Sequence, residues 1–241
     1  MNDKIAILSD IHGNYEALKA VFEDMENQNI CEAISLGDNI GYGPEPNQVV
    51  NALNLKSIPS VLGNHELGIL KPEIKKWFNP FAREALNITE NILTANSIKI
   101  ISQYPDNLIK NNILFVHGAP PDKILTYIFE FSPFGLKNLF NSFSESLCFV
   151  GHTHKLGIIT LENKNIVKSD ISKSTELDKT KRYIINSGSI GQPRDGDKRA
   201  KYLIFDKKNL HLELRFVEYN RKLVKNKIVE LGFPNVFADM I

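Results

Sequence analysis

A chain of 241 residues with 42% hydrophobic and 24% charged side chains can build a sizeable core, which excludes a disordered or fibrous protein. Twenty-nine basic and twenty-eight acidic residues leave a formal charge of +1, so no broad field draws in nucleic acid or an anionic membrane surface, and an anionic ligand must be held locally. The first strand-like run begins at Lys4, leaving no room for a signal peptide, and no apolar stretch reaches the roughly 18 residues of a membrane span. A cytoplasmic protein with one domain over residues 1–241 is expected, its two cysteines, Cys31 and Cys148, buried as free thiols.

Along the chain, "IAILS" (5–9), "AISL" (33–36), "IPSVL" (58–62), "NILFV" (112–116) and "SLCFV" (146–150) are short, near-continuous apolar runs, the pattern of strands buried on both faces. Between the first two, residues 14–28 place Leu18, Val21, Phe22 and Met25 on one helical stripe. A second helix is expected from Phe81 to about Ala95, behind Pro80, with further ones near 46–54 and 134–143. From 156 the pattern becomes antiparallel: a hairpin turning at Asn163 to Asn165, then "RYIINSG", "AKYLIFD" and "HLELRFVEY". Residues 169–181 have no periodicity and read as a mobile loop, and a helix from about Asn220 to Leu231 closes an α/β first part packed with a mostly antiparallel second.

Each of the five apolar runs stops at a polar cluster: "SDIHGN" (9–14), "GDN" (37–39), "GNHE" (63–66), "HG" (117–118) and "GHTH" (151–154). Ligands collect beyond the carboxyl ends of strands in open α/β sheets, so five loops are expected to converge there. Each cluster alone is also what an ordinary turn or helix cap produces. Yet five of the six histidines, His12, His65, His117, His152 and His154, lie in these clusters, and only His211, read as structural, lies elsewhere. The spacing in "GHTH" adds weight, because residues i and i+2 leaving a strand project to one side. Carboxylate, imidazole and amide donors without thiolate suit a transition metal, and the set is too large for one tetrahedral zinc. Two cations about 3.5 to 4 Å apart, sharing an anionic bridge, fit the count and suit attack at phosphorus.

In order, Asp-x-His, Gly-Asp, Gly-Asn-His, His and Gly-His-x-His resemble the calcineurin-like metallophosphoesterase superfamily over residues 5 to about 206. The resemblance implies an α/β (α+β) fold, a four-layer αββα sandwich of two mixed β-sheets flanked by helices. By position it implies Asp10, His12 and His154 on one metal, Asn64, His117 and His152 on the other, and Asp38 between them. The cofactors would be two divalent or trivalent transition ions, manganese favoured, with iron, zinc, cobalt or nickel as alternatives. His65 stands where the family has a histidine that protonates the leaving oxygen or stabilises the phosphoryl group, while a metal-bridging hydroxide attacks in line.

"GDNIGYGPEP" and "INSGSIGQPRDGD" look like the small bacterial and archaeal branch, with phosphodiesterases and diadenosine-polyphosphate hydrolases, which points to a small phosphorylated substrate. Serine/threonine phosphatases instead carry an aspartate three residues after the bridging one, then an arginine; here these positions are Gly41 and Tyr42. That departure weighs against phosphoprotein hydrolysis and leaves His65 without its usual orienting partner. A non-catalytic scaffold on the same fold is a further alternative, opposed by the presence of all seven ligand types. Arg194, on a loop with Ser187 where relatives have proline, is a candidate phosphate contact, unless it is an exposed arginine among Asp195, Asp197 and Lys198. Asn39 and Tyr42 are candidates at the substrate border, within what is otherwise a Gly/Pro turn starting a helix at Pro46. Selectivity is expected to rest on loops 67–80, 118–135 and 169–196.

Overall fold

In the computed structural model, which describes residues 3–171 and 174–241, strand β1 (Lys4–Leu8) shows how the layers are built. Side chains alternate across a strand. Ile5 and Ile7 join a core with residues of a second sheet, such as Phe115 and Phe149, while Ala6 and Leu8 pack with the helical residues Leu18, Val21 and Phe22. The first half of the chain continues through α1 (Tyr15–Asn27), β2 (Ala33–Ser35), α2 (Pro46–Leu55), α3 (Asn64–Leu70), a 3-10 turn at Pro72–Trp77, α4 (Pro80–Ile92) and α5 (Ala95–Ile101). Next come β3 (Asn107–Lys110), β4 (Ile113–Val116), α6 (Pro133–Phe140) and β5 (Leu147–Val150). The remainder is β6 (Leu156–Glu162), β7 (Asn165–Ser169), β8 (Ser174–Glu176), β9 (Arg182–Ser187), β10 (Ala200–Asp206), β11 (His211–Val217), α7 (Arg221–Glu230) and α8 (Asn235–Asp239).

One sheet runs β2-β1-β10-β11-β8 and the other β3-β4-β5-β9-β6-β7. Both are mixed: β1 lies parallel to β2, and β5 parallel to β4 and β9, whereas the β10 and β6 pairings are antiparallel. The apolar residues shared between the sheets fill the middle of the molecule; α1 and α2 cover the first sheet, and α6 covers the second through Leu136, Leu139 and Phe140. This is the expected αββα arrangement. It puts the carboxyl ends of β1, β2, β4 and β5 on neighbouring elements, so the polar clusters that follow them meet.

Several expectations change in detail. "IPSVL" forms only an isolated bridge, Ser60 with Ser35, because Pro59 has no N–H to continue a ladder. The helix expected from Phe81 to about Ala95 is α4, which ends at Ile92 where Leu93 turns extended; Thr94 then caps a separate α5, its Oγ1 accepting the Ser97 N–H at 3.2 Å. The segment 169–181 is not all loop: β8 adds to the open edge of β11, while residues 172 and 173 fall outside the described residues. The hairpin turns on Asn163 and Lys164, both with positive φ. Cys148 is buried as expected, but Cys31 is exposed.

Candidate metal centre

Five of the residues with ligand chemistry hold left-handed backbone: Asp10 (φ 51°), His12 (49°), Asp38 (52°), His152 (67°) and His154 (58°). A side chain there costs about 1 kcal/mol, a cost that persists only where surrounding structure enforces it. The enforcement is visible. Strand β5 ends at Val150, and Thr153 N–H then donates to the Gly151 carbonyl at 2.8 Å, so the two histidines converge through a tight turn and not, as expected, by projecting from extended strand. The His12 N–H donates to the Asp38 carbonyl at 2.8 Å, and those of Ile190 and Gly191 to the Ser9 and Asp10 carbonyls, both at 3.0 Å. At Gly191 a Cβ would stand 1.8 Å from the Ile11 carbonyl oxygen, so only glycine lets the second loop close on the first.

The buried donors form two adjoining groups. In the first, His12 Nε2 and His154 Nε2 lie 3.0 Å apart, and Asp10 Oδ1 is 3.3 Å from His154 Nε2. Each imidazole directs Nδ1 at a carbonyl, His12 at Ile40 (3.1 Å) and His154 at Gln192 (2.7 Å). A carbonyl only accepts, so Nδ1 carries the proton and both Nε2 atoms present lone pairs. Burial holds both histidines well below their ordinary pKa, hence neutral, and raises Asp10 to about 7. Two facing lone pairs beside a carboxyl are a poor arrangement alone and a good one around a cation.

The second group is Asp38, Asn64, His117 and His152. His117 Nε2 lies 3.3 Å from Asp38 Oδ2, 2.9 Å from Asn64 Oδ1 and 3.2 Å from His152 Nδ1, while its Nδ1 faces the Leu36 carbonyl at 2.8 Å. Burial alone would lower His117, but the Asp38 charge lifts it to about 9; burial would raise Asp38, but the charge of His117 holds it well below the usual range. Asp38 Oδ2 is also 3.7 Å from His12 Nε2, so this carboxylate reaches both groups. Donor atoms of Asp10, His12 and His154 lie within 4.8 Å of one another, as do those of Asp38, His117 and His152. These residues fit a pair of cations: convergent lone pairs, two carboxylates and carbonyl-fixed tautomers.

His65 is buried beside them, its backbone N–H donating to Asp38 Oδ1 at 2.8 Å. Its Nδ1 has no hydrogen-bond partner, and burial lowers its pKa to about 4. Packing fixes the ring instead: Tyr42 and Phe78 meet it edge to face at 4.5 and 5.1 Å. Gly41, at φ 101°, presses against it so closely that a Cβ would stand 2.1 Å from Nδ1. The missing aspartate at position 41 is therefore matched by a ring that occupies its space.

Arg194 is half-buried at the same site: its N–H donates to the His154 carbonyl at 3.2 Å, and its guanidinium to Gln192 Oε1 at 2.8 Å. The carboxylates near it in sequence are engaged elsewhere, Asp195 with Lys201 at 2.8 Å and Asp197 with Arg199 at 2.5 Å. Tyr42 lines the adjoining cleft. Asn39 does not border it: wholly buried, it accepts from Ser35 Oγ at 2.6 Å and donates to Ser60 Oγ at 2.9 Å, so its amide is spent inside the loop. His211 lies in β11, bonded to Ser174.

Glu66 is the residue sequence reasoning passed over. Fully buried, it accepts backbone N–H bonds from Asp38 (3.0 Å), Asn39 (2.7 Å), Ile40 (3.3 Å) and Gly63 (3.1 Å), tying the loop after β2 to the start of α3. A glycine followed three residues later by glutamate at a helix start was its signal.

Two sandwiched sheets with buried carboxylate, imidazole and amide donors at their strand ends define a metal-binding phosphoesterase architecture. The chain belongs to the calcineurin-like phosphoesterase superfamily, whose domain model matches residues 4–210. It is 36% identical over 242 residues to an uncharacterized protein of Methanocaldococcus jannaschii, covering 98% of this chain and 96% of that one. A metallophosphoesterase from Sphaerobacter thermophilus superposes with a TM-score of 0.85 at 34% identity, over 98% of this chain and 97% of that one. A hypothetical protein from Pyrococcus horikoshii shares the fold at 18% identity, with a TM-score of 0.77 over 98% and 96% of the two chains. No helix among the described residues is long and apolar enough to cross a membrane.

Proposed function

We propose that the chain works as one domain, in the cytoplasm, as a dimetal hydrolase of a small phosphorylated substrate, nucleotides and dinucleoside polyphosphates among the candidates. The observation that carries this reading is the pair of neutral imidazole nitrogens, His12 and His154, facing each other at 3.0 Å beside Asp10, with Asp38 reaching both groups of donors. Asp10, His12 and His154 would hold one ion, Asn64, His117 and His152 the other, and Asp38 both. When bound, the two cations supply a nucleophilic water and neutralise charge at the phosphoryl group, the arrangement suited to in-line displacement of a phosphoester.

The side chains do the rest. Arg194 grips phosphate oxygens from the rim. His65, neutral at physiological pH, offers an N–H to the leaving oxygen, and its packing between Tyr42, Phe78 and Gly41 keeps the ring aimed without a carboxylate. Phosphoprotein hydrolysis is the weaker reading, since Gly41 and Tyr42 stand where the serine/threonine enzymes use aspartate and arginine.

The test is metal analysis of purified protein together with a screen of phosphomonoesters, diesters, dinucleoside polyphosphates and phosphopeptides. Wild-type protein should hold two transition-metal ions and hydrolyse a small ester; Asp38→Ala should lose both ions and fall to background. Retention of both ions by that variant would refute the bridge. His65→Ala should keep its metal content and lose roughly 10²-fold or more in kcat.

A further inference from the structure

Beside Asn64 and His152 the site opens into a cleft of about 580 Å³. Its walls are rings, Tyr42, Trp77, Phe78 and Tyr127, and Glu130 is the one carboxylate in the lining. A second phosphate would meet that charge with no cation in the lining, Lys76 and Arg194 standing instead over the Trp77 and Tyr42 rings at 5.7 and 5.8 Å, so the group this space suits is flat and uncharged. Three of the rings are already used. Tyr42 stacks on Phe237 at 4.4 Å, Phe78 stands edge-on to His65, and Tyr127 lies parallel to His152 at 3.8 Å. Trp77 is 72% exposed and has no ring partner among the described residues, only the Lys76 ammonium over its ring at 5.7 Å. An indole left in water at the lip of a polar site is a stacking surface awaiting a partner.

The cleft also has a side. Tyr42 and Phe78, two of its walls, are the residues that contact the His65 ring. A substrate with its phosphate on the donors and its leaving oxygen toward His65 would direct the rest of the leaving alcohol into this space. We infer that the cleft seats a planar aromatic group on the leaving alcohol, a nucleobase or an aryl ring, stacked on Trp77. This rests on the phosphoesterase reading. Water adds to phosphorus, the bond from phosphorus to the leaving oxygen breaks, that oxygen takes the electron pair and a proton, and the ring departs as a nucleoside or phenol.

Because Trp77 is the sole tryptophan, its emission reports on the cleft without any turnover. Manganese-loaded protein should show saturable quenching with the hydrolysis-resistant methylenephosphonate analogue of adenosine 5′-phosphate or with phenylphosphonate, and none with ribose 5-phosphate. Tighter binding of the adenosine analogue assigns the space to a nucleobase; the reverse order assigns it to an aryl ester. In turnover, Trp77→Ala should reduce the preference for adenosine 5′-phosphate over ribose 5-phosphate, as a ratio of kcat/KM, roughly tenfold or more, with Trp77→Phe retaining most of it. No response of Trp77 to either aromatic probe, or an unchanged preference in Trp77→Ala, overturns the inference while leaving the phosphoesterase reading intact. A wild-type protein that hydrolyses no phosphoester overturns that reading instead, and the emission titration still decides whether the cleft takes a ring.

Discussion

The two halves of the centre are built from similar side chains and are in different electrostatic states. Around Asp38, His117 at about 9 keeps its proton at neutral pH and acts as the counter-charge to a carboxylate held low, so this half compensates itself. Around Asp10, the histidines are neutral and the carboxyl sits near 7, because burial outweighs the charge of His117 that reaches it from the other half. One half carries its own internal cation, and the other is an array of acceptors. Burial is nearly complete in both, so it is the contact between His117 and the carboxylate of Asp38, and not depth, that separates them.

The largest test of this difference is deletion of one imidazole from each half. His154→Ala should lose the ion of its own half, keep the other, and lose roughly 10³-fold in turnover through forfeited charge stabilisation. His117→Ala should lose more metal than His154→Ala, because it also removes the group that holds Asp38 ionised; equal metal loss in elemental analysis would remove the distinction.

Glu66→Gln strikes the second half through its backbone. An amide cannot accept all four N–H bonds, so a drop of about 2 to 3 kcal/mol in unfolding free energy is expected, with weakened metal retention. The ion of the Asp10 half should survive this change; its loss alongside the other would show that the halves are not separable.

The smallest and sharpest effect is on pH. In the metal-free protein Asp10 holds a proton up to about 7 and His117 up to about 9, and loading of both ions must displace the two. Apparent affinity should therefore climb with pH, about tenfold per unit for each proton displaced: two protons below 7, one between 7 and 9, none above. Calorimetry in buffers of differing ionisation heat counts those protons, and a count independent of pH would contradict the asymmetry.

Much of the site was legible because its residues stand in short ordered motifs at the ends of apolar runs, a placement that chain order alone exposes. The β11 edge captured β8 from a stretch without periodicity, since an open edge selects a strand by its free N–H and C=O groups and not by side-chain pattern. The expected end of α4 ran a few residues long and α5 was not foreseen, because the Thr94 side chain caps a new helix directly after the extended Leu93. Asn39 seemed available to a ligand because a buried hydrogen-bonding amide and an exposed one look alike in sequence.

What the sequence by itself determined was the donor set, its order and the succession of strands and helices, since these follow from side-chain type and local period; the two-sheet sandwich was implied only by the family resemblance. Only the tertiary structure decided how the donors face one another: the left-handed turns that aim them, Glu66 gathering four amides, the His65 ring filling the space at Gly41, and Trp77 standing exposed at the cleft without a ring partner among the described residues. Each depends on atoms distant in sequence and close in space, where burial and lone-pair direction carry the energy.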